Sequence, residues 1–296
     1  MIRGSVRKGE WLEFHLELRE GQSSEGAVKE ALSGTDKFWR ALAAGGGIQY
    51  KGGRVRLHLF PSEKGGYEPE WMDLSILYED DFCLVADKPA GVPVHPSRPG
   101  QGGTLANGIA SYYEMSGQAC RVRHIHRLDE ETTGPVLYAK NEWAQIRLDA
   151  AMREKRIERI YSALVEGRLP KRKGTVDAPI GKDRHHASRR RVSPTGVPAV
   201  THYEVVESFD AHTWVRLRLE TGRTHQIRVH LAHLGHPLIG DALYGGRPVA
   251  GMKRQALHGE KLRWIDPLTG EEREADAPFP SDFAETLEWL RNRSKS

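Results

Sequence analysis

The sequence is poor in cysteine and has no long apolar run. Its 2 cysteines, Cys83 and Cys120, form neither a CxxC pair nor a disulfide framework, which suits a reducing compartment. No stretch approaches the roughly 20 consecutive apolar residues that a membrane-spanning helix needs. The N-terminal residues alternate charged and apolar types, so they lack the continuous apolar core of a secretory signal. We therefore expect a cytoplasmic protein with no membrane partner.

Phosphate-binding loops of the common nucleotide-binding kinds are also missing. The glycine-rich segments GGGIQYKGG (45–53) and GGRPVAG (245–251) lack the spacing of GxxxxGK[ST] and that of a GxGxxG between strand and helix. Histidine pairs occur in two places, but without Cys or acidic partners at familiar zinc spacing they are weak evidence for a metal. We expect no cofactor, no nucleotide and no metal. The histidines concerned are His124, His126, His230 and His233.

Positive charge is concentrated in one stretch, although the whole chain carries a net charge of only +4. Between Arg168 and Arg191 there are nine Lys or Arg against two Asp, a local net charge of +7. Such a concentration is typical of proteins that bind a polyanion, because basic side chains that neutralise phosphates release condensed counterions. The alternative is a solvated, mobile loop. On the first interpretation the basic side chains of this stretch contact the phosphates of a polyanion.

The chain length predicts about two domains. We expect a small α/β domain over residues 1–65, a turn-rich linker over 66–73, and a larger domain over 74–296. The first should contain a strand around 11–18, a helix over 28–42, and two short strands about a turn at 51–53. Because the larger domain shows no regular βαβ spacing, we expect an α+β fold with a mixed, largely antiparallel sheet and flanking helices.

Periodicity predicts four features of the larger domain. Residues 141–167 indicate a helix followed by a strand, and a hairpin is expected about Asp210 and Ala211. A helix follows from Arg223 and ends at Gly235. Ser281 is expected to cap a C-terminal helix whose apolar face consists of Phe283, Leu287 and Leu290.

Two segments concentrate the residues that could carry chemistry. In HIHRLDEETTG (124–134) a carboxylate, Asp129, lies close to Arg127, which suits either a capped turn or an acid or nucleophile held by a guanidinium. In ETGRTHQIRVH (220–230) several donors fall near a helix start, an arrangement suited to carboxylate or phosphate oxygens. These donors are Arg223, His225, Gln226 and Arg228.

The segment HRLDEETTGPVLYAK (126–140) resembles the catalytic motif of the RluA family of RNA pseudouridine synthases. Four further segments resemble the same family in the expected order, at 78–97, 159–167, 220–246 and 255–271. The resemblance extends over about 74–291. Thr133 stands where the family usually has Ser, and Pro135 where an aliphatic residue is usual.

The resemblance implies a pseudouridine synthase fold and an isomerase that needs no cofactor. It implies that Asp129 is the catalytic aspartate, that Arg223 pairs with it, and that Tyr161 stacks on the extruded uracil and helps to remove the proton from carbon 5. The carboxylate acts either as a nucleophile toward the sugar or the ring, or as a base on the ribose 2′ proton. The sequence leaves both routes open.

The resemblance also implies RNA contacts. Arg127 is expected to fill the position that the extruded base vacates. Further substrate contacts are expected from His126, Thr133, Thr224, His225, Gln226 and Arg228, in addition to Arg189, Arg190 and Arg191. The first domain weakly resembles the small RNA-binding module found at the N-terminus of many of these enzymes. Its helix is poor in basic residues, with only Lys29, Lys37 and Arg40, so we expect a degenerate module.

Three alternatives remain at this stage. Ribosomal RNA is the expected substrate, and transfer RNA is the other RNA to consider. A non-catalytic RNA-binding or ribosome-assembly factor would keep the fold without turnover. A metal-dependent hydrolase would use the four histidines named above. We expect a monomer.

Overall fold

The computed structural model describes residues 2–19, 21–63 and 66–294. The N-terminal unit consists of an antiparallel sheet, in the order β1-β2-β4-β3, and two helices. Its elements are β1 (Ile2–Lys8), β2 (Trp11–Leu16), α1 (Ser24–Leu32), α2 (Asp36–Ala44), β3 (Ile48–Lys51) and β4 (Arg54–Leu57). The predicted strand is confirmed as β2 and the predicted hairpin as β3 and β4, whereas β1 was not predicted.

The single helix predicted over 28–42 is wrong, because the chain breaks between α1 and α2. Ser33 has a φ of 29°, and Thr35 starts α2 by accepting a hydrogen bond from the Phe38 amide. A Cβ on Gly34 would lie 2.8 Å from the Trp39 indole nitrogen. The break therefore allows Trp39 to pack inward against the turn.

The N-terminal unit shares a hydrophobic core with the rest of the protein. The Trp143 indole N–H donates to the carbonyls of Leu32 and Ser33, at 3.0 and 3.1 Å. The ring of Phe60 contacts Phe82, whose ring in turn contacts Trp143. The division of the chain into domains stays a prediction, and residue 65, where the first domain was expected to end, lies outside the described residues.

The larger part of the chain contains two main antiparallel sheets and a two-stranded ribbon. The four-stranded sheet, β5-β6-β8-β7, is formed by β5 (Ser75–Glu79), β6 (Cys83–Lys88), β7 (Arg123–His124) and β8 (Gly134–Ala139). The six-stranded sheet, β10-β13-β14-β9-β15-β16, is formed by β9 (Glu158–Glu166), β10 (Lys173–Asp177), β13 (Val200–Ser208), β14 (His212–Leu219), β15 (Leu257–Ile265) and β16 (Glu272–Asp276). The ribbon pairs β11 (Ile180–Lys182) with β12 (Arg190–Val192).

The two main sheets meet at a seam between β8 and β15. A parallel bridge joins Thr133 to His258 there. Glycine is required at position 134 because the backbone of Gly259 comes so close that a Cβ would lie 2.4 Å from the Gly259 carbonyl oxygen. Every pairing between the described strands is antiparallel. The predicted α+β fold is confirmed, with separate antiparallel sheets in place of one mixed sheet.

Four helices pack on this framework. They are α3 (Leu105–Met115), α4 (Glu142–Arg153), α5 (Gln226–His233) and α6 (Ser281–Arg293). The predicted helix and strand over 141–167, the hairpin of β13 and β14, and the apolar face of α6 are confirmed. Ser281 is not the cap: it is the first residue of α6, Pro280 precedes it, and no side chain caps the helix.

The basic stretch from Arg168 to Arg191 is structured. It supplies β10, β11 and the start of β12, so the alternative of a solvated, mobile loop does not describe the whole stretch. Of the two cysteines, Cys83 is buried and Cys120 half-buried, and both are free thiols. None of the helices in the described ranges is long and apolar enough to span a bilayer.

Candidate active site

An open cleft of about 570 Å³ lies beside the seam between the two sheets. Its walls are the loop before β8, the first half of β9, the loop over 219–225 and the first turn of α5. Both sequence segments predicted to carry chemistry therefore meet in one place. The cleft contains Asp129 and Tyr161.

The Asp129 carboxylate lies on the loop before β8 and is ion-paired with Arg228. Arg228 Nη1 donates to Asp129 Oδ2 at 3.3 Å, and His225 Nε2 lies 4.0 Å from the same oxygen. The carboxylate side chain is 18% exposed, so a substrate can reach it. The loop is tightened by the Thr132 amide, which donates to the Asp129 carbonyl at 3.0 Å.

The sequence-based assignment of Arg223 as the partner of Asp129 is wrong. Arg223 is exposed, and its Nε donates to the Pro198 carbonyl at 3.0 Å. Arg228, and not Arg223, faces Asp129 because of the residue at which α5 begins. Gln226 is the first helical residue, so Arg228 lies in the first turn and faces inward, whereas Arg223 precedes the helix on the surface loop.

Arg228 is held in place by Asp241, a residue that the sequence analysis missed. Arg228 Nε and Nη2 donate to the two Asp241 oxygens at 2.7 and 2.9 Å, a bidentate pair. The Asp241 side chain is 1% exposed. The guanidinium also lies 5.0 Å from the centre of the Tyr244 ring. Arg228 is therefore fixed on one edge and presents Nη1 to Asp129.

Tyr244 connects the basic ribbon to the site and was also missed. Its hydroxyl accepts from the Arg190 amide at 2.9 Å and contacts His225 Nδ1 at 2.9 Å. The Arg189 guanidinium lies 5.6 Å from the ring centre. Burial lowers the pKa of His225, against the opposing charge of Asp129, so the neutral ring is favoured. The ribbon that carries Arg189–Arg191 is thus anchored beside Asp129.

Tyr161 lies on β9 and lines the cleft. It is 5% exposed, and its hydroxyl makes no hydrogen bond with any of the described residues. Burial raises the pKa of the phenol, and the charge of Arg159 only partly opposes this. The hydroxyl is therefore protonated at neutral pH.

Lys88 holds the loop that carries Asp129, and the sequence analysis did not identify this residue. Its fully buried ammonium donates to the carbonyls of Pro89, Val92 and Glu130 at 2.6 to 2.7 Å. These three acceptors match the three donors of an ammonium group. Burial lowers its pKa to about 7. Lys88 thereby ties the end of β6 to the residue that follows Asp129.

The other predicted substrate contacts divide into two groups. Arg127 and Thr224 are exposed on the cleft and are available to a ligand. The Gln226 side-chain amide, by contrast, already has hydrogen-bond partners within the protein. Its oxygen accepts from the Thr221 hydroxyl and the Arg223 backbone amide, and its nitrogen donates to the Val200 carbonyl and the Thr201 hydroxyl. The geometry assigns Gln226 to holding the loop, in place of the predicted contact.

Two further predicted contacts are buried side chains, of which only His126 lines the cleft. Thr133 bonds His258 at 2.8 Å and does not line the cleft. His126 accepts from the Leu137 amide at 3.2 Å, and burial lowers its pKa to about 3, so it is neutral. Both side chains support the seam, and the geometry does not favour direct contact between Thr133 and a substrate.

The histidines of the metal hypothesis are not gathered into a site. Both ring nitrogens of His230 contact protein groups, the Thr201 hydroxyl and the Ala178 carbonyl, each at 2.9 Å. The His124 ring packs edge-on against His95. Across the ranges that the structure describes, no three His, Cys, Asp or Glu side chains are grouped so as to hold a metal ion.

The buried His258 predicts acid sensitivity of the fold. Its ring contacts Thr133 and the Ala277 carbonyl, and burial lowers its pKa to about 4. The unfolded chain therefore binds more protons below the ordinary pKa of about 6.5, so stability present above pH 6.5 is lost as the pH falls towards 4. We expect His258→Gln to remove up to roughly 3 kcal/mol of the fall in unfolding free energy between pH 7 and pH 4.

Urea unfolding at pH 7, 5.5 and 4 measures this slope. His233→Gln, at an exposed position on α5, is the matched control. An identical pH slope in wild type and His258→Gln would show that the seam histidine does not govern acid unfolding.

Comparison with known proteins agrees with this geometry. Residues 82–233 match the family described as RNA pseudouridylate synthase. An uncharacterised RNA pseudouridine synthase of Bacillus subtilis (strain 168) is 50% identical over 238 residues, which cover 80% of this chain and 78% of that protein. The ribosomal large subunit pseudouridine synthase D of Escherichia coli (strain K12) is 41% identical over 253 residues, 81% of this chain and 77% of that protein.

Two solved structures share the fold. Human RNA pseudouridylate synthase domain containing 4 superimposes with a TM-score of 0.61 at 25% identity and covers 73% of this chain and 92% of its own. Human RNA pseudouridylate synthase domain containing 1 gives a TM-score of 0.57 at 28% identity, with 79% and 98% covered. The similarity therefore extends over about three quarters of this chain.

Proposed function

Since this chain belongs to the RluA family of RNA pseudouridine synthases, we propose that it isomerises uridine in large-subunit ribosomal RNA, with Asp129 as the catalytic carboxylate. The observation that carries the catalytic assignment is the Asp129–Arg228 ion pair in an open cleft that also contains Tyr161. The substrate is supported by the relative of Escherichia coli, which is named for the large ribosomal subunit.

The reaction is balanced without a cofactor. The bond from uracil N1 to ribose C1′ breaks, the base turns, and C5 forms the new bond to C1′. The proton on C5 is then lost and N1 regains a proton, so no atom is gained or lost overall. An ionised Asp129 serves either route, as a nucleophile that holds the sugar or the ring or as a base on the ribose 2′ proton.

Arg228 and Tyr161 have separate roles in this proposal. Arg228 is fixed by Asp241 and holds Asp129 in position through Nη1, so a guanidinium faces the carboxylate in the cleft. Tyr161 offers a buried ring for the uracil to stack on. Because burial raises the pKa of its phenol, the hydroxyl must pass on its own proton before it can accept the proton from C5.

The target base must leave its stack to reach Asp129, at a cost of roughly a few kcal/mol. Arg127 occupies the vacated space in this proposal, which its exposure at the cleft supports. The ribbon that carries Arg189–Arg191 contacts RNA phosphates beside it, so binding should weaken strongly with added salt. One chain supplies Asp129, Tyr161 and Arg228 to one cleft, which is consistent with a monomer. A ribosomal substrate is consistent with a cytoplasmic enzyme.

Purified protein and unmodified transcripts test the substrate directly. We expect pseudouridine, detected by carbodiimide adducts that stop primer extension, at one or a few positions of large-subunit ribosomal RNA. Transcripts of small-subunit ribosomal RNA and of transfer RNAs serve as controls. Stops in a transfer RNA alone would contradict the proposed substrate but not the activity. No stop in any transcript would favour the non-catalytic RNA-binding factor.

A further inference from the structure

The cleft contains more positive charge than the protein neutralises. Its two carboxylates already have partners: Asp129 pairs with Arg228, and Glu220 with Lys155 at 2.6 Å and His202 at 2.7 Å. The remaining cleft arginines form no ion pair with any carboxylate in the described part of the chain. They are Arg127, Arg153, Arg159 and Arg223.

Arg159 differs from the other three because it is half-buried. Its Nε has no exposed surface and no hydrogen-bond partner among the described residues. It lies on β9 two positions before Tyr161, so both side chains belong to the same face of the strand. A half-buried guanidinium whose buried Nε has no partner is unusual, since buried charges are normally paired.

The loop opposite leaves space for this guanidinium. A Cβ on Gly222 would lie only 2.8 Å from Arg159 Nη1 and within 3.8 Å of the rest of the guanidinium. Glycine at this position therefore lets the loop close over the side chain without displacing it. The positive charge therefore lies in the cleft, on the same strand face as the ring on which the uracil is proposed to stack.

We propose that Arg159 binds a backbone phosphodiester next to the target uridine, an inference that rests on RNA being the substrate. Phosphodiesters are the anions of RNA, and the planar guanidinium matches two phosphate oxygens. This contact would position the ribose during the reaction. While the uracil is detached and turning, the sugar stays attached to the RNA through its backbone on either route, so a fixed phosphate keeps C1′ opposite Asp129.

The first measurement is RNA affinity and its salt dependence. Arg159→Gln should raise the dissociation constant of an unmodified large-subunit ribosomal RNA transcript about tenfold or more, and lower the slope of log affinity against log salt by about one. Arg159→Lys should keep the slope and recover part of the affinity. Arg293→Gln, on α6 and outside the cleft, is the charge-matched control. Unchanged affinity and slope in Arg159→Gln would overturn the proposal.

The thermal midpoint separates binding from a structural role. Removing an unpaired half-buried charge should leave the midpoint of Arg159→Gln unchanged or raise it. A structural arginine would lower it. A large fall in the midpoint together with unchanged affinity of the folded variant would contradict the assignment.

Synthetic RNA with one methylphosphonate identifies the contacted phosphate. The probe is an oligonucleotide around the modified uridine, with the neutral linkage at each neighbouring position in turn. At one position the neutral linkage should lower the affinity of wild type to that of Arg159→Gln. The affinity of Arg159→Gln should not fall further at that position. Additive losses at every position would refute a direct contact. If wild type modifies no transcript, the proposed function fails, while filter binding of the same transcripts still tests Arg159.

Discussion

Replacement of Asp129 by asparagine is expected to abolish pseudouridine formation while leaving RNA affinity within a few-fold of wild type. The amide has the shape of the carboxylate but neither its charge nor its ability to act as a nucleophile or base. Losing that group should lower the single-turnover rate by about 10⁴-fold or more. Arg228 keeps both bonds to Asp241, so the cleft should remain intact.

Single-turnover assays and filter binding on the same large-subunit transcript separate the two effects. Glu130→Gln is the matched control, because it removes an exposed carboxylate from the adjacent position and should keep the wild-type rate. A substantial yield from Asp129→Asn would refute the catalytic assignment. Loss of binding together with activity would show that Asp129 serves the fold of the loop.

Replacement of Arg228 by glutamine is expected to lower both the rate and the stability. It removes the cation that faces Asp129 and leaves Asp241, 1% exposed, without its charged partner. Breaking a buried pair in this way costs about 3–5 kcal/mol. The rate at saturating RNA should fall about 10²- to 10³-fold, as it does when a charge-stabilising donor is removed from an active site.

Arg223→Gln is the comparison that tests the choice between the two arginines. Arg223 is exposed and donates only to the Pro198 carbonyl, so its loss should change the unfolding free energy by less than about 0.5 kcal/mol. Its rate at saturating RNA should stay within a few-fold of wild type. A larger loss of rate in Arg223→Gln than in Arg228→Gln would contradict the ion pair described here.

A double variant separates the chemistry of Arg228 from its part in the fold. Arg228→Met with Asp241→Leu replaces the buried charges by apolar groups of similar size, so no buried charge is left without a partner. Urea unfolding should show stability close to wild type, and the rate should stay as low as in Arg228→Gln. Recovery of activity with stability would mean that Arg228 acts only through the fold.

Two of the proposed site residues lie within short, strongly patterned segments of the sequence. Asp129 and Tyr161 were identified from linear motifs, and the structure brings them to one cleft. The partner of Asp129 could not be chosen in this way. Arg223 and Arg228 lie in the same motif, and only the first residue of α5 decides which faces inward; such boundaries are uncertain by one or two residues.

The remaining site residues depend on contacts between distant segments. Lys88 bonds a carbonyl 42 residues away, Tyr244 an amide 54 residues away, and Asp241 holds Arg228 across a loop. No local pattern distinguishes such residues from ordinary polar side chains. The fold shows the same difference between local and long-range information. Alternation of apolar and polar residues predicted the hairpins. The seam between β8 and β15, by contrast, depends on the close backbone contact of Gly134 with Gly259, which are distant in the sequence.

The most direct test of the account is pseudouridine mapping of total RNA from cells that lack this protein. The cells are complemented with wild type or with Asp129→Asn at matched expression. We predict that one or a few sites in large-subunit ribosomal RNA disappear and return only with wild type. Sites that persist without the protein, or that return with Asp129→Asn, would contradict the claim that Asp129 catalyses the isomerisation of that RNA.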